Sequence, residues 1–302
     1  MKLNALLKTL GFLALAATPV VAGTAPAPKN PIAPAPVNDD LGITASLGYD
    51  TNYVWRGLNF GQHWVRAGVN GSILLLGGAS EDGAGSTYLN WDAQYGSLAG
   101  DQDHFMPGAN PNVNASFQRL ELGAALARDF GAATLSLGYR YYGNMGVLNT
   151  TGAMNNGQEV SIGLATALGP IDIKSSANYD FVNDYYYFDL TASSTIAVTD
   201  AISVVPYATI GYGHNMNWQF ADNNNRTSGV TANWATNGQS TNFTAVTAGL
   251  QFPVKLNSRA TLTPYIAINA PMSGVQNLPA DGTPDNAYGS VVYGGVSLTV
   301  RF

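Results

Sequence analysis

Apolar and polar residues alternate with a period of two in about twelve segments of this chain, from residue 43 to the C-terminus. In the last segment, Val296, Leu298 and Val300 share one parity, while Ser297 and Thr299 take the other. Successive side chains of a β-strand point to opposite faces of a sheet, so each segment predicts a strand with one apolar face. The pattern therefore predicts an all-β protein.

The charged residues indicate which face is outermost, because the apolar residues alone define the faces. Charged side chains fall on the parity opposite to the apolar one, and Arg128, at a strand end, is the exception. A lipid-facing Arg or Lys at mid-bilayer costs roughly 2–4 kcal/mol, so lipid favours apolar residues outside and charges inside. We therefore expect the following residues to line the lumen of a barrel: Asp50, Arg56, Arg66, Asp92, Arg119, Glu121, Arg140, Glu159, Asp172, Lys174, Asp180, Asp189, Arg259 and Arg301.

Link lengths favour the same fold. If both termini are periplasmic, the links on that side are tight, near residues 129–131, 168–170, 199–200 and 256–258. The long connections fall on the other side, at 98–115, 143–157, 214–240 and 271–287, as is typical of outer-membrane barrels. We predict a transmembrane up-and-down antiparallel β-barrel of about 12 strands over residues 41–302. A soluble β-sandwich is the alternative, and it requires the opposite placement of charged and apolar residues.

Two prolines interrupt predicted strands. Pro206 and Pro264 each precede a Tyr in the middle of an alternating segment. Proline cannot donate a backbone hydrogen bond to a β-ladder. Either these strands carry bulges or their pairing is broken at the prolines.

Aromatic residues on the apolar parity cluster toward one end of the predicted barrel. Tyr and Trp settle at the level of the lipid headgroups, so such residues are expected to form an aromatic girdle near the outer rim. The predicted girdle consists of Tyr53, Trp55, Tyr95, Tyr141, Phe181, Tyr186, Tyr212 and Tyr288. In this interpretation Tyr53 and Trp55 face lipid, and Arg56 faces water in the lumen.

The first forty residues have a different composition. Lys2 and Lys8 precede an apolar run, residues 10–17, and small residues end the stretch at Ala22, which predicts a cleaved signal peptide over residues 1–22. A permanent transmembrane helix is disfavoured because the run is shorter than the ~20 residues that a span needs. Residues 23–40 alternate Ala and Pro and predict an extended linker. A periplasmic ligand or a plug for the barrel is the alternative role for this linker.

Composition excludes some classes of function. The formal net charge is -6 and only 13 residues are Lys or Arg, so no basic surface for nucleic acid is predicted. Charged residues make up 11% of the chain, few for a water-facing surface. Absence of Cys excludes disulfides and thiolate zinc sites.

The segment Tyr53-Val-Trp-Arg56-Gly57-Leu58, which ends the first predicted strand, resembles the signature of a group of proteobacterial outer-membrane proteins, the Gcw_chp or TorF-like proteins. The resemblance covers residues 43–61 and implies an outer-membrane barrel without a settled substrate. The terminal Phe302 resembles the C-terminal aromatic residue through which the barrel-assembly machinery recognises its clients. We expect this machinery and outer-membrane lipid to be partners of the chain.

Three functions remain open on sequence alone. Seven cations and seven acids in the predicted lumen indicate either a narrow, weakly selective channel for small polar solutes or a barrel closed by its own ion pairs. A closed barrel would serve as a structural or adhesion element through its long loops. The third function, lipid modification at the rim, depends on His214, but no G-x-S-x-G motif accompanies it, so no enzymatic activity is predicted.

No cofactor and no metal site are predicted. His63 and His104 fall in or near loops. The acidic pairs Asp101 with Asp103 and Asp281 with Asp285 lack the closing Glu of an EF-hand loop, so solvated loops explain them better.

Overall fold

The computed structural model describes residues 41–77, 85–99, 117–145, 156–216, 240–272 and 289–302. These residues form twelve long strands and two strands of two residues each. The strands are β1 Ile43–Trp55, β2 Leu58–Leu76, β3 Thr87–Leu98, β4 Gln118–Asp129, β5 Ala133–Met145, β6 Gly157–Leu168, β7 Ile171–Asp180, β8 Tyr185–Ser193, β9 Ile196–Ala197, β10 Ser203–Met216, β11 Ser240–Gln251, β12 Val254–Lys255, β13 Ala260–Pro271 and β14 Val291–Arg301. Within this part of the chain, no helix is long and apolar enough to cross a membrane.

The long strands form one closed antiparallel barrel. Each long strand pairs with the next along the chain, and β1 pairs with β14 to close the ring, with Thr44 opposite Arg301 and Asp50 opposite Gly295. The short strands β9 and β12 extend the ladders of β10 and β13. Closure satisfies the backbone groups that an open sheet would leave unpaired at its edges. The predicted 12-strand up-and-down barrel is confirmed.

The barrel carries its apolar residues on the outside. Leu137 and Ile162, in the middle of neighbouring strands, are 60% and 61% exposed, and Leu122 is exposed as well. Arg119 and Arg140, on the opposite parity of β4 and β5, are buried. The inside-out arrangement predicted from alternation is therefore present, and the β-sandwich alternative is wrong.

The two ends of the barrel differ in their connections. Ile43 and Arg301 mark one end, here called the terminal end, where short links such as 130–132 and 169–170 join the strands. At the opposite end, the loop end, β3 joins β4, β5 joins β6, β10 joins β11 and β13 joins β14. These four connections are the long ones, as predicted, and their central residues lie outside the described part of the chain.

Both prolines lie where a ladder ends. The β8–β10 ladder starts at Tyr207, and the β11–β13 ladder ends at Tyr265, one residue after each proline. The carbonyl oxygens of Pro206 and Pro264 still accept hydrogen bonds, from the backbone N–H groups of Ser194 and Phe252. Pairing is therefore broken on this side of each strand, as the second predicted explanation has it, while Pro206 stays paired with Leu250 and Pro264 with Val296 on the other side.

Candidate functional site in the barrel lumen

The β1–β2 hairpin leaves the barrel wall before it turns. The β1–β14 ladder stops at Asp50, and the β2–β3 ladder starts only at Trp64. Between these points the two strands pair with each other, with a register irregularity between Asn52 and Val54. We call residues 51–63 the lumen hairpin and residues 53–60 its tip.

The tip lies inside the barrel at the loop end. Tyr53, Val54, Trp55, Arg56, Gly57, Leu58 and Phe60 are all buried. A strand of the wall would alternate buried and exposed residues, so a run buried on both faces indicates a segment surrounded by the wall. The tip therefore fills the lumen at this level.

The predicted positions of Tyr53 and Trp55 in the lipid-facing girdle are wrong. Both side chains are 1% exposed and point into the lumen. The physical reason is the irregularity after Asn52, which ends the alternation that places every second residue outside. The prediction that Arg56 faces water is wrong too, because its side chain is 3% exposed and ion-paired.

A tight turn forms the apex of the tip. Trp55 pairs with Leu58, and the two residues between them, Arg56 and Gly57, have φ angles of 51° and 93°. Positive φ at both central positions defines the type I′ turn that matches the twist of a hairpin. A side chain at Gly57 would place its Cβ 2.7 Å from Cβ of Ala245 in β11, so glycine allows the close approach to the wall.

The wall also binds the backbone of the turn, at the carbonyl group of Gly57. Asn269 of β13 donates a hydrogen bond from Nδ2 to the carbonyl oxygen of Gly57 at 3.0 Å. Thr247 of β11 donates to Oδ1 of Asn269 at 2.9 Å and so fixes the orientation of the amide. The turn is thereby anchored to a part of the wall far from β1 in sequence.

The guanidinium of Arg56 is bound by residues of β6 and β8, and Tyr142 of β5 binds the Glu159 carboxylate. Nη1 lies 2.6 Å from Oε1 of Glu159, and Nη2 donates to Oε2 at 2.9 Å, which makes the ion pair bidentate. Nη1 also donates to the hydroxyl of Tyr185, while the hydroxyls of Tyr142 and Tyr185 donate to the Glu159 carboxylate at 3.1 Å each. The ring of Tyr187 lies 4.4 Å from Cζ of Arg56.

A second arginine joins the tip to the wall from the other side. Five aromatic rings lie within 5.7 Å of Cζ of Arg119 in β4: those of Tyr53, Trp55, Phe60, Phe117 and Tyr142. The nearest ring is Trp55, at 4.4 Å, and Nη1 of Arg119 donates to the Tyr53 hydroxyl at 2.8 Å. Nε donates to Oδ1 of Asn144 at 2.7 Å. Tyr53 in turn stacks on Trp64, with ring centroids 4.1 Å apart.

Ion pairs also join residues of the wall to one another. Arg140 makes a bidentate pair with Asp92, at 2.8 and 2.9 Å, and lies 3.3 Å from Glu121. Arg66 pairs with Asp50 at 3.0 Å, and the Tyr265 hydroxyl donates to the same carboxylate at 2.8 Å.

The residues predicted to line the lumen differ in burial. Eight are buried: Asp50, Arg56, Arg119, Glu121, Arg140, Glu159, Asp180 and Asp189. Four are half-buried: Arg66, Asp92, Asp172 and Lys174. Arg259 and Arg301 are exposed at the terminal end, away from this cluster. Arg128, the predicted exception, is exposed beside Phe130.

Five of the remaining predicted girdle residues lie on the outer surface. Tyr95, Phe181 and Tyr186 are exposed, Tyr141 and Tyr212 are half-buried, and Tyr288 lies outside the described residues. The hydroxyl of Tyr95 donates to Gln118 at 2.7 Å. The terminal Phe302 is exposed at the terminal end, and its backbone N–H donates to the carbonyl of Ile43.

Each of the two histidines that the structure describes lies beside a hydroxyl group. His214 is exposed at the loop end, with Nδ1 3.3 Å from the Thr241 hydroxyl, and His63 lies 2.7 Å from the Tyr49 hydroxyl. In the described ranges, no three His, Asp or Glu side chains are grouped closely enough to hold a metal ion. His104 and the predicted acidic loop pairs, Asp101 with Asp103 and Asp281 with Asp285, fall outside these ranges, as do residues 1–40.

Comparison with known proteins shows that the structure is similar to those of other barrel proteins. No known protein family matches the sequence, and no curated protein is similar to it. The structure is similar to a KdgM porin, with 7% identity over 86% of this chain and 99% of the porin, at a TM-score of 0.44. An outer membrane channel from Pseudomonas putida F1 gives 8% identity, 89% and 100% coverage and a TM-score of 0.44. LpxR from Salmonella typhimurium gives 8% identity, 86% and 100% coverage and a TM-score of 0.47.

Sequence identities of 7% and 8% and TM-scores of 0.44 and 0.47 are too low to infer an activity from these structures. The resemblance of residues 43–61 to the Gcw_chp or TorF-like proteins stays a prediction.

Asn269 and the tyrosines around Arg56 could not be identified from the sequence alone. Tyr142, Tyr185 and Tyr187 lie on the polar parity of their strands, where large aromatics in a lumen are unexpected. Their position on the polar parity was the one signal in the sequence. A large aromatic residue that faces the lumen needs an apolar partner there, and the tip is that partner.

Proposed function

We propose that this protein is an outer-membrane β-barrel with a porin-like path for small polar solutes, and that the lumen hairpin closes this path in the present conformation. The exposed apolar surface formed by residues such as Leu137 and Ile162 supports insertion into lipid. The long connections at one end and short links at the other support an orientation with both termini in the periplasm.

One observation carries the proposal of a closed path. The tip, residues 53–60, has left the wall and fills the lumen, so the twelve strands around it enclose more space than their own side chains occupy. Barrels of about eight strands fill with side chains and those of sixteen leave an open channel, so at twelve an inserted segment decides between closed and open. Withdrawal of the tip would leave charged and tyrosine side chains on the wall.

Conductance in planar bilayers tests the proposal. The variant replaces residues 53–60 by an Asn-Gly turn, which keeps a two-residue hairpin and removes every side chain of the tip. We expect discrete conductance steps from this variant and much rarer openings from the unaltered protein. The matched control is Gln62→Ala, because Gln62 is exposed on the same hairpin outside the tip, and we expect this variant to open as rarely as the unaltered protein.

A barrel that never conducts is the second candidate, and the contacts of the tip favour it. A bidentate ion pair, a bonded asparagine and an arginine among five rings hold the tip from several strands at once. Silence from the shortened variant, in a sample whose heat-modifiable migration on a detergent gel shows a folded barrel, would support this structural role and contradict the channel.

A further inference from the structure

The wall around Arg56 has the composition of a binding site for a guanidinium group. A buried carboxylate, Glu159, meets both terminal nitrogens, two tyrosine hydroxyls orient that carboxylate, and the ring of Tyr187 lies against the guanidinium. Bidentate carboxylate pairing and an aromatic face are the two features by which proteins recognise this planar cation. All of these wall groups belong to β5, β6 and β8.

The bound guanidinium is supplied by a segment that is separate from this part of the wall. Arg56 sits at the apex of the lumen hairpin, at a φ of 51°, where Asn, Asp and Gly are the residues that a type I′ turn favours. An arginine is disfavoured there by its backbone conformation, so its side-chain contacts must compensate. The turn thus presents a tethered cation to the carboxylate, hydroxyl and ring groups of the wall, and Trp55 of the tip adds one more ring, 4.5 Å from Cζ of Arg56.

The buried and half-buried charges of the wall favour a cation as well. Among the residues predicted to line the lumen, the wall carries four such cations and seven such acids: Arg66, Arg119, Arg140 and Lys174 against Asp50, Asp92, Glu121, Glu159, Asp172, Asp180 and Asp189. Removal of Arg56 with the tip increases the excess of acids. A lumen lined by an excess of carboxylates attracts cations and repels anions.

We propose that the Glu159 site, once the tip has withdrawn, binds small organic cations that carry a guanidinium group. In the closed barrel Arg56 occupies this site as an intramolecular substitute for such a cation. The inference rests on the proposed function for transport, since it names the class of solute, but binding at Glu159 can be measured without conduction.

Rescue of Arg56→Gly by free guanidinium tests the site. Glycine fits the positive φ of the turn and leaves the space of the arginine side chain empty. In detergent, we expect millimolar guanidinium chloride to raise the unfolding temperature of this variant in a saturable way, by about 3–5 °C at ten times the Kd. Sodium chloride at equal ionic strength and urea at equal concentration should not do so, because one lacks the planar shape and the other the charge.

The double variant Arg56→Gly with Glu159→Gln is the matched control, and it should lose the rescue. Equal responses to guanidinium, sodium and urea, or rescue that persists in the double variant, would overturn the assignment. If Arg56→Gly does not fold unaided, its refolding yield with guanidinium against the yield with sodium replaces the temperature measurement, and equal yields overturn the assignment.

The two proposals fail in different ways. Specific rescue together with a silent shortened variant would retain the cation site and contradict the channel. Conductance from the shortened variant without specific rescue would retain the channel and contradict the cation site.

Discussion

Arg56 and Glu159 are 103 residues apart in sequence, yet both terminal nitrogens of the arginine lie within 2.9 Å of the two carboxylate oxygens. Arg56 belongs to the hairpin that entered the lumen, and Glu159 to the wall strand β6. The pair therefore joins two parts of the barrel that share no ladder, and its side chains are only 3% and 2% exposed.

Replacing Glu159 by Gln should destabilise the barrel strongly, because the Arg56 charge stays buried without its carboxylate. Breaking a buried pair from one side costs about 3–5 kcal/mol. Urea unfolding in detergent of Glu159→Gln, Arg56→Gln and the double variant measures this cost. The double variant should lose less than the sum of the two single variants. Strict additivity would contradict direct coupling between the two side chains.

Replacing Arg119 by Met should weaken the packing of the tip. The substitution keeps an unbranched apolar stem but removes the charge among five rings and the donor to the Tyr53 hydroxyl. We expect a loss of about 1–3 kcal/mol in the free energy of unfolding. Arg128→Met is the control, since Arg128 is exposed beside a single ring, and its cost should stay below about 1 kcal/mol. Equal costs for the two variants would show that the rings around Arg119 add nothing.

Gly96 makes room for the aromatic packing beneath the tip. A Cβ at this position of β3 would overlap the indole ring of Trp64, which stacks on Tyr53. Gly96→Ala should therefore displace Trp64 and cost about 1–3 kcal/mol, the usual range for overpacking. Gly77, at the terminal end, has open space around its Cα, so Gly77→Ala should be close to neutral. Thermal unfolding of both variants compares them, and equal midpoints would contradict the packing described for Trp64.

The outer surface should tolerate charge in a depth-dependent way. Ile162 lies in the middle of β6 and Leu168 is its last residue, and both are exposed. An arginine at mid-bilayer costs roughly 2–4 kcal/mol and one near the interface about 0–1 kcal/mol. Ile162→Arg should lower folding yield into lipid vesicles far more than Leu168→Arg. Similar yields would contradict a membrane position for β6.

The barrel could be predicted from the sequence because every strand of the wall follows one rule, with apolar residues outside and charged residues inside. Leu122 and Leu137 are exposed and Arg119 and Arg140 buried, as their parity requires. The rule holds for a strand that pairs with a neighbour on each side and has one face on the outside of the barrel and the other in the lumen.

The tip could not be predicted by that rule because no side of it faces the outside of the barrel. After Asn52 the register changes, and Tyr53, Val54 and Trp55 are buried in succession. The partners of Tyr53 and Trp55, which are Arg119 and Tyr142, lie on strands distant in sequence, and alternation gives no information on contacts across a lumen. The local signals were an aromatic run that does not alternate with polar residues and the Arg56-Gly57 pair at a turn.

Thiol labelling at two positions of one hairpin tests whether the tip lies inside the barrel. The chain has no Cys, so Leu58→Cys and Gln62→Cys each introduce a single thiol, the first in the buried tip and the second on the exposed part of the hairpin. With a bulky water-soluble maleimide added to folded protein in lipid vesicles, we predict rapid labelling of the Gln62→Cys variant and protection of the Leu58→Cys variant until the barrel is unfolded. Equal labelling rates at the two positions would contradict burial of the tip in the lumen, because Leu58 would then be as accessible to water as Gln62.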